Sequence, residues 1–255
     1  MSIGTISKRQ AHFSLNLAKN EVSNIMTDDK QNKLILRRVF QVLLSTSVWG
    51  GILLLSAGQW NWPRGWLCLG FYIASFLVNF FVVFTFNPQV IAERAKAHEG
   101  TKTFDKIFGA VFLLLVLTVP VVAGLDMRFQ WTNAPFWLFY PGLVLFVLGN
   151  IPIVWSMVVN QHLEQTVRIQ EDRDHKVVTT GPYAWVRHPM YVGMILEYLG
   201  LPLMLGSHWS LVPAGLAIVA MIVRTYLEDQ TLQEELPGYK EFTRKTKFRL
   251  LPGIF

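Results

Sequence analysis

Four long apolar runs divide the first 160 residues of the chain. Each run is close to the about 20 residues that a helix needs to cross the hydrocarbon core of a bilayer. The runs cover residues 39–58, 65–86, 107–125 and 136–159. The short connection between the first two holds Trp60 and Trp62, and tryptophan favours the membrane interface. The pattern therefore predicts four transmembrane helices, the first two forming an antiparallel hairpin.

Two shorter apolar runs follow, at residues 190–206 and 211–226. A helix of about 16 residues covers only ~24 Å, which is less than the ~30 Å of the hydrocarbon core. We therefore expect these runs to form a compact helical hairpin that leaves the bilayer early on one side. The predicted fold is all-α, a polytopic transmembrane helical bundle of about five to six membrane segments whose last two form this hairpin.

The distribution of basic residues predicts the orientation of the chain. If both termini are cytoplasmic, only Arg64 and Arg128 of the 23 Lys and Arg residues face outward, in accord with the positive-inside rule. The predicted parts are a cytoplasmic N-terminal tail at 1–35, four transmembrane helices at 36–160, and a region at 161–255 with the polar motifs, the terminal hairpin and a C-terminal tail. For the N-terminal tail, an interfacial amphipathic helix at 13–26 is the alternative.

Composition supports a membrane protein and argues against several other classes. Apolar residues make up 52% of the chain and charged residues 16%, and the mean hydropathy is +0.34, too apolar for an ordinary soluble domain. The net charge is +6, but the basic residues are spread along the chain, which argues against nucleic acid as a partner. The single cysteine, Cys68, excludes an internal disulfide. No HExxH, CxxC, Walker or GxGxxG motif predicts a metal, nucleoside triphosphate or dinucleotide site.

The segment from His175 to Gly193 brings charged, aromatic, glycine and proline residues to the start of an apolar run. Pro189 suits the first turn of a helix, where its missing N–H is harmless, and it pushes His188 to an extended conformation. The predicted helix terminus has free N–H groups beside Arg187 and His188, and it favours an anion such as a carboxylate or a phosphate. The alternative is a basic pair that touches lipid headgroups.

A second polar group stands where the last apolar run ends. Arg224 and Glu228 are four residues apart and share one helix face. Because the hairpin turns back on itself, they return to the level of His188, and we expect the two polar groups to meet in one pocket at the membrane surface. An ordinary salt bridge between Arg224 and Glu228 is the alternative.

Glu197 lies inside the 190–206 run, where an ionisable residue is costly. It shares a helix face with Gly193 and Gly200. This pattern predicts close contact with another helix and a hydrogen-bonded partner for the carboxylate. A structural role is favoured over a catalytic one.

Several motifs of the C-terminal third resemble, in the same order, the isoprenylcysteine carboxyl methyltransferase family. They are Gly181-Pro-Tyr183-Ala-Trp-Val-Arg187-His188-Pro189-Met-Tyr191-Val-Gly193, Arg224-xxx-Glu228-Asp229, Leu236-Pro-Gly-Tyr239-xx-Phe242 and Arg249-Leu-Leu-Pro252-Gly. Two further segments, Asn87-Pro-Gln-Val-Ile-Ala-Glu-Arg and Thr101-Lys-Thr-Phe-Asp105-Lys, resemble the bacterial branch more weakly. Asp229 departs from the pattern, because the family usually has a second glutamate there.

The resemblance implies an integral membrane enzyme that transfers a methyl group from S-adenosylmethionine without a Rossmann domain. The cofactor pocket would lie at the cytoplasmic face of the terminal hairpin, and Arg224 would be the catalytic residue that faces the methyl acceptor. Arg168 matches the family by spacing alone. The residues implied to contact the cofactor are Arg168, His175, Lys176, Val177, Val178, Tyr183, His188, Pro189, Met190, Tyr191 and Glu228.

The expected acceptor is a carboxylate on an isoprenylcysteine-like, prenylated or other small lipophilic molecule, reached from the lipids of a bacterial inner membrane. One alternative is an NADPH-dependent membrane sterol or enoyl reductase. Those enzymes resemble Arg-His-Pro-Asn-Tyr followed by Gly-Glu, whereas Val192-Gly193-Met194 follows Tyr191 here. A phospholipid-amine or thiol methyltransferase is a second alternative, and a non-catalytic transporter is a third, although no transmembrane repeat supports it.

Overall fold

The computed structural model describes the backbone of residues 3–96 and 99–253, with side chains from residue 29 onward. Helices and 3-10 turns are the regular elements of this part of the chain, which confirms the predicted all-α class. The helices are α1 (Ile3–Ala57), α2 (Pro63–Phe86), α3 (Pro88–Glu93), α4 (Thr103–Phe129), α5 (Phe139–Val159), α6 (Pro189–Leu205), α7 (Leu211–Glu235) and α8 (Tyr239–Lys245). The 3-10 turns lie at Phe136–Leu138, Glu171–Arg173 and Gly181–Ala184.

Five described helical stretches are long and apolar enough to cross a membrane. They are Asp29–Ala57, Pro63–Phe86, Thr103–Phe129, Phe136–Val159 and Leu211–Glu235. The sixth predicted segment, α6, has only 17 residues, about 26 Å of helix. The predicted five to six segments are therefore confirmed.

The two helices of the terminal hairpin differ in length, although the sequence predicts two short ones. Helix α7 has 25 residues and continues to Glu235, because its polar residues extend the helix beyond the end of the apolar run. Arg224 and Glu228 consequently lie within one uninterrupted helix, and their spacing is fixed.

The outer surface of the bundle is strongly apolar. Leu55 is 75% exposed, Phe86 69% and Leu114 68%. Lipid covers such side chains in a protein that spans a bilayer, whereas a monomeric soluble protein rarely exposes so many of them together. The exposed residues and the five spans together identify a multi-pass membrane protein.

Helices α5 and α6 approach each other closely through paired glycines. A Cβ atom added to Gly149 would lie 2.5 Å from the carbonyl oxygen of Gly193, and one added to Gly142 would lie 2.7 Å from that of Gly200. Gly142 and Gly149 are seven residues apart on α5, and Gly193 and Gly200 are seven residues apart on α6, about two turns of each helix. Small residues allow this backbone contact, and it confirms the close approach that Gly193 and Gly200 predict.

Glu197 lies at the same interface, where its Cγ is 3.0 Å from the point that a Cβ atom on Gly149 would occupy. Within the described part of the chain, its carboxylate forms no hydrogen bond. The contact of Glu197 with α5 is thus as predicted, whereas the expected hydrogen-bonded partner is not found among the described residues.

Helix α1 begins at Ile3 and runs through residue 35 without a break. The backbone there is helical where the sequence predicts a tail. The side chains of the alternative interfacial helix at 13–26 lie outside the described residues. The division of the chain at residues 35 and 160, and the cytoplasmic placement of residues 1–35, stay predictions.

Residues 246–250, which we call the C-terminal strap, follow α8 and cross the start of α6. The N–H of Arg187 donates to the carbonyl oxygen of Phe248, and the N–H of His188 donates to that of Arg249, both at 2.9 Å. The Arg187 guanidinium also donates to the Thr246 and Lys247 carbonyl oxygens at 2.9 and 2.7 Å. The strap therefore ties the end of the chain to the entrance of α6.

Candidate functional site

A cavity lies between the loop that joins α5 to α6, the start of α6, the polar half of α7 and α8. Its empty space is about 780 Å³ when the open solvent at its mouth is included. All the site residues named from the sequence line it: Arg168, His175, Lys176, Val177, Val178, Tyr183, His188, Pro189, Met190, Tyr191, Arg224 and Glu228. The structure thus brings together the two polar groups that the sequence expects to meet.

The hydroxyl of Tyr191 links α6 to α7 at the floor of this cavity. It donates to Glu228 Oε2 at 2.7 Å and accepts from Arg224 Nη1 at 2.7 Å. Arg224 forms its ion pair with Asp105 of α4, with Nε 2.7 Å from Oδ1. The Arg224–Glu228 salt bridge considered from the sequence is therefore replaced by a tyrosine bridge, because a longer-range partner takes the guanidinium.

The N-terminus of α6 differs from the open anion site that the sequence predicts. The backbone of His188 is not extended as predicted, because its φ of −127° fits a strand but its ψ of 63° does not. The N–H groups of Arg187 and His188 are bonded to the C-terminal strap, and that of Tyr191 is bonded to the His188 carbonyl oxygen. Most of the expected free donors are therefore already used inside the protein.

The side chain of Arg187 is also committed, because it pairs with the buried carboxylate of Asp229. Arg187 Nε and Nη2 lie 2.7 and 2.9 Å from the two carboxylate oxygens, a bidentate arrangement. Arg249 Nε, Tyr239 Oη and Gln233 Nε2 donate to the same carboxylate at 2.9, 3.1 and 2.8 Å, and His188 Nε2 lies 3.3 Å from it. Asp229 therefore joins α6, α7, α8 and the strap.

The loop between α5 and α6 forms the polar wall of the cavity. Arg168 donates to both oxygens of Glu164 at 2.8 Å and to Asp172 at 2.7 Å, and these carboxylates raise the pKa of its guanidinium. The ammonium of Lys176 pairs with Asp174 and its side chain is 73% exposed. Arg168 thus links Glu164 to Asp172 within the loop, and both cations have an anionic partner.

Two histidines face each other in the same loop. The ring centroids of His162 and His175 are 4.7 Å apart. His162 Nδ1 lies 3.2 Å from Gln170 Oε1, and Gln170 Nε2 donates to the His162 carbonyl oxygen at 2.6 Å. Burial, with the nearby His162, lowers the pKa of His175 to about 4. His175 is therefore a neutral imidazole near pH 7; its Nδ1 accepts from the Gln170 N–H at 3.4 Å, which leaves Nε2 as a hydrogen-bond donor.

The opposite end of the cavity is aromatic and apolar. Tyr183 packs in a cluster with Leu236, Tyr239 and Phe242, and Val177 and Val178 lie against it. The Tyr183 hydroxyl accepts a hydrogen bond from Asn160 at 2.9 Å. Burial raises the pKa of this phenol to about 12, so that it stays protonated.

Some residues of the cavity were not among the catalytic and cofactor-contacting residues expected from the sequence. They are Asn160, His162, Leu163, Glu164, Thr166, Val167, Gln170, Arg187, Leu232, Leu236, Tyr239 and Phe242. Leu236, Tyr239 and Phe242 belong to a motif that carries the family resemblance, and this signal could have placed them at the site. For His162 and Gln170 the only signal is a polar loop directly after an apolar run.

Comparisons with known proteins agree with the region where the site lies. A family model described as phospholipid methyltransferase matches residues 137–237. The protein-S-isoprenylcysteine O-methyltransferase of Rattus norvegicus is 30% identical over 101 residues, which are 39% of this chain and 34% of that protein. The cobalt-zinc-cadmium resistance protein CzcN of Cupriavidus metallidurans is 32% identical over 106 residues, 40% of this chain and 47% of that protein.

A solved structure of the eukaryotic intramembrane Ras methyltransferase ICMT aligns with 88% of this chain and 98% of that one, at 20% identity and a TM-score of 0.44. The chain spans about a third of the rat relative that it matches, since the alignment covers 34% of that protein. The identity of 30% to the rat enzyme confirms the resemblance to isoprenylcysteine carboxyl methyltransferases, and the phospholipid methyltransferase model matches the part of the chain that holds most of the cavity lining.

Proposed function

We propose that the chain is an integral membrane methyltransferase that uses S-adenosylmethionine, binds it in the cavity between α6, α7 and the preceding loop, and methylates a carboxylate on an isoprenylcysteine-like or other lipophilic acceptor. The observation that carries the proposal is that twelve residues predicted from the sequence, from distant parts of the chain, line one cavity. The similarity to isoprenylcysteine O-methyltransferases supports it, and so does the match of residues 137–237 to the phospholipid methyltransferase model.

The residues of the cavity fit this methyl donor. Glu228, whose side chain is 18% exposed, offers a carboxylate to the amino and ribose hydroxyl groups. The end of the cavity that is lined by Val177, Val178 and Tyr183 suits the adenine ring. Nearby aromatic faces would contribute about 0.5–2 kcal/mol to the binding of the sulfonium. When bound, S-adenosylmethionine would supply an electrophilic methyl group on its sulfonium sulfur.

The protein's own contribution to the reaction is positioning. An acceptor carboxylate is ionised at neutral pH and needs no general base. Arg224 would orient it, since Asp105 and Tyr191 hold the guanidinium in place and only 8% of the residue is exposed. Fixed orientation and exclusion of water are then the main sources of rate enhancement.

A phospholipid amine is the second candidate acceptor, because the matching family model is described as phospholipid methyltransferase. An acceptor of either kind would reach the site from the bilayer. We place the protein in a bacterial inner membrane with both termini and the cavity on the cytoplasmic side, a proposal supported by the distribution of basic residues.

Binding of the methyl donor provides the direct test. We expect the purified protein in detergent to bind S-adenosylmethionine or its demethylated product in calorimetry. Glu228→Ala should weaken binding about tenfold or more, because hydrogen bonds to a charged group are lost. Glu234→Ala is the matched control, since Glu234 is exposed on the same helix, and it should leave the affinity unchanged. Arg224→Ala should keep donor affinity but abolish methyl transfer in native membranes.

Two outcomes would contradict the proposal. The first is tight binding of NADPH with no binding of either methyl-donor ligand, which would favour the reductase alternative. The second is equal weakening by Glu228→Ala and Glu234→Ala, which would remove Glu228 from the pocket. Equal loss of donor affinity and of transfer in Arg224→Ala would place Arg224 with the donor instead of the acceptor.

A further inference from the structure

Two arginines outside the cavity lining converge on the same short segment as Arg224. Arg94 follows α3, and its Nη1 lies 3.4 Å from the carbonyl oxygens of Leu163 and Glu164. Arg224 Nη2 donates to the Gln165 carbonyl oxygen at 2.9 Å. Arg38 of α1 reaches this segment through the Gln165 side chain. Three guanidinium groups therefore gather around residues 163–165.

The side-chain amide of Gln165 connects the two outer arginines. With its nitrogen towards α3, it donates to the Arg94 carbonyl oxygen at 3.0 Å, and its oxygen accepts from Arg38 Nη2 and Nη1 at 3.1 and 3.2 Å. Arg38 Nη1 also lies 3.5 Å from Gln41 Oε1. These acceptors are neutral, so they orient the two guanidiniums without balancing their charge.

The charge at this point is unbalanced within the described part of the chain. Arg224 has Asp105 as its counter-ion, and Glu164 pairs with Arg168. Neither Arg38 nor Arg94 forms an ion pair with a described residue. Burial, and next the positive charge of Arg38, lowers the pKa of Arg94 to about 10, so that Arg94 is still charged at neutral pH. Two partly buried cations side by side are costly unless an anion joins them.

The elements that carry the two arginines are packed firmly. Ile35 of α1 and Ile91 and Ala92 of α3 are buried in one apolar cluster. The Asn87 side chain donates to the Met157 carbonyl oxygen at 2.9 Å, which fixes the start of α3 against α5. The positive charge is therefore preorganised, as binding sites require.

The position of the arginines indicates what kind of molecule would bring the anion. Arg38 lies near the beginning of the Asp29–Ala57 span. Its helix neighbours Leu36 and Phe40 are 68% and 65% exposed, on a surface that faces lipid. A ligand at this place would have an apolar tail in the bilayer and an acidic group at the level of Arg38, Arg94 and Arg224.

We propose that Arg38, Arg94 and Gln165 form an oxyanion site next to Arg224, which binds the carboxylate or phosphate of the lipophilic acceptor. This inference rests on the proposed function, because it names residues that select the acceptor. A carboxylate would come from a prenylated cysteine, and a phosphate would come from a phospholipid headgroup.

The test uses full-length protein in a neutral detergent without added phospholipid. The carboxylate probe is N-acetyl-S-farnesylcysteine, with its primary amide as the uncharged match, and the phosphate probe is dihexanoyl phosphatidylethanolamine. Binding of each probe is measured for the wild type, for Arg38→Gln with Arg94→Gln, and for Arg38→Lys with Arg94→Lys. Arg37→Gln is the control, since Arg37 is an exposed neighbour on α1. Affinity for S-adenosylmethionine is measured on the same samples.

We expect the double glutamine variant to bind one of the two acidic probes about tenfold more weakly, the loss of one charged hydrogen-bonded contact. The double lysine variant should retain most of the affinity, and Arg37→Gln all of it. The wild type should prefer the farnesylcysteine acid to its amide if the source is a carboxylate. If the arginines had only a structural role, the double glutamine variant would lose affinity for the acid and for the amide to the same extent.

The inference is overturned if the wild type binds neither acidic probe, or if the double glutamine variant binds both as tightly as the wild type, while S-adenosylmethionine still binds. That result leaves the proposed function standing with an acceptor that carries no acidic group. Loss of S-adenosylmethionine binding in the wild type instead overturns the proposed function itself.

Discussion

At the scale of single residues, the site depends on carboxylates that join distant segments. Asp229 pairs with Arg187, 42 residues earlier in the chain, and Asp105 pairs with Arg224, 119 residues later. Asp229 is fully buried. Its carboxylate accepts hydrogen bonds from Arg187, Arg249, Tyr239 and Gln233. Its removal would leave the buried guanidinium of Arg187 without the carboxylate that it pairs with.

Asp229→Ala is therefore expected to destabilise the protein by about 3–5 kcal/mol, the usual cost of breaking a buried ion pair by removal of one partner. The free energy of unfolding is measured in one detergent for the wild type and the variant. Asp172→Ala is the control, because Asp172 is an exposed partner of Arg168 and should contribute about 1 kcal/mol or less. Similar losses in both variants would show that Asp229 does not hold the site together.

The sequence pointed to these residues but not to their pairing. Arg187, Arg224 and Asp229 all stand in motifs, and Asp105 stands in a weaker one. Spacing along the chain suggested only the local pair of Arg224 and Glu228. The actual partners depend on which helices touch, and a polar side chain carries no local signal of a contact made 40 or more residues away.

At the scale of elements, the contact of α5 with α6 decides where the site begins. Glycine pairs let the two backbones touch, and this contact places Pro189 and Tyr191 opposite the polar half of α7. The apolar pattern predicted both helices, and Gly193 and Gly200 predicted the contact face of α6. Their partners, Gly149 and Gly142, emerged only from the packing.

Gly149→Ala tests this contact. The new methyl group would lie 2.5 Å from the Gly193 carbonyl oxygen, and overpacking of this kind costs about 1–3 kcal/mol. We expect a lower thermal unfolding temperature and weaker binding of S-adenosylmethionine, because the start of α6 must move. Gly70→Ala on α2 has open space around the new atom and should be neutral, or stabilising through its higher helix propensity. Equal behaviour of the two variants would argue against a tight α5–α6 contact.

At the scale of the whole molecule, the basic residues and the site point to one side of the membrane. The cavity, the C-terminal strap and the Arg38–Arg94 pair all lie towards the same end of the helical bundle. The short loop between α4 and α5 lies at the opposite ends. We propose that the first side is cytoplasmic, as the positive-inside rule predicts.

This orientation can be tested by cysteine labelling. In a Cys68→Ser background, Asn133→Cys should react with a membrane-impermeant maleimide in intact spheroplasts, since Asn133 is exposed between α4 and α5. Glu241→Cys, exposed on α8, should react only after the membrane is permeabilised. The reverse pattern would invert the topology and move the cavity to the outer side.

The sequence by itself determined the class of protein, the number of membrane segments and twelve of the residues that line the cavity. Hydrophobicity, proline and glycine positions and motif order act over short stretches, so they can be read along the chain. Only the tertiary structure decided that the strap occupies the α6 terminus, that Tyr191 bridges Arg224 and Glu228, and that Arg38 and Arg94 meet at Gln165. These contacts join polar groups that are far apart in the chain. Helix packing determines them, because each buried polar group must form hydrogen bonds with the groups that the fold places near it.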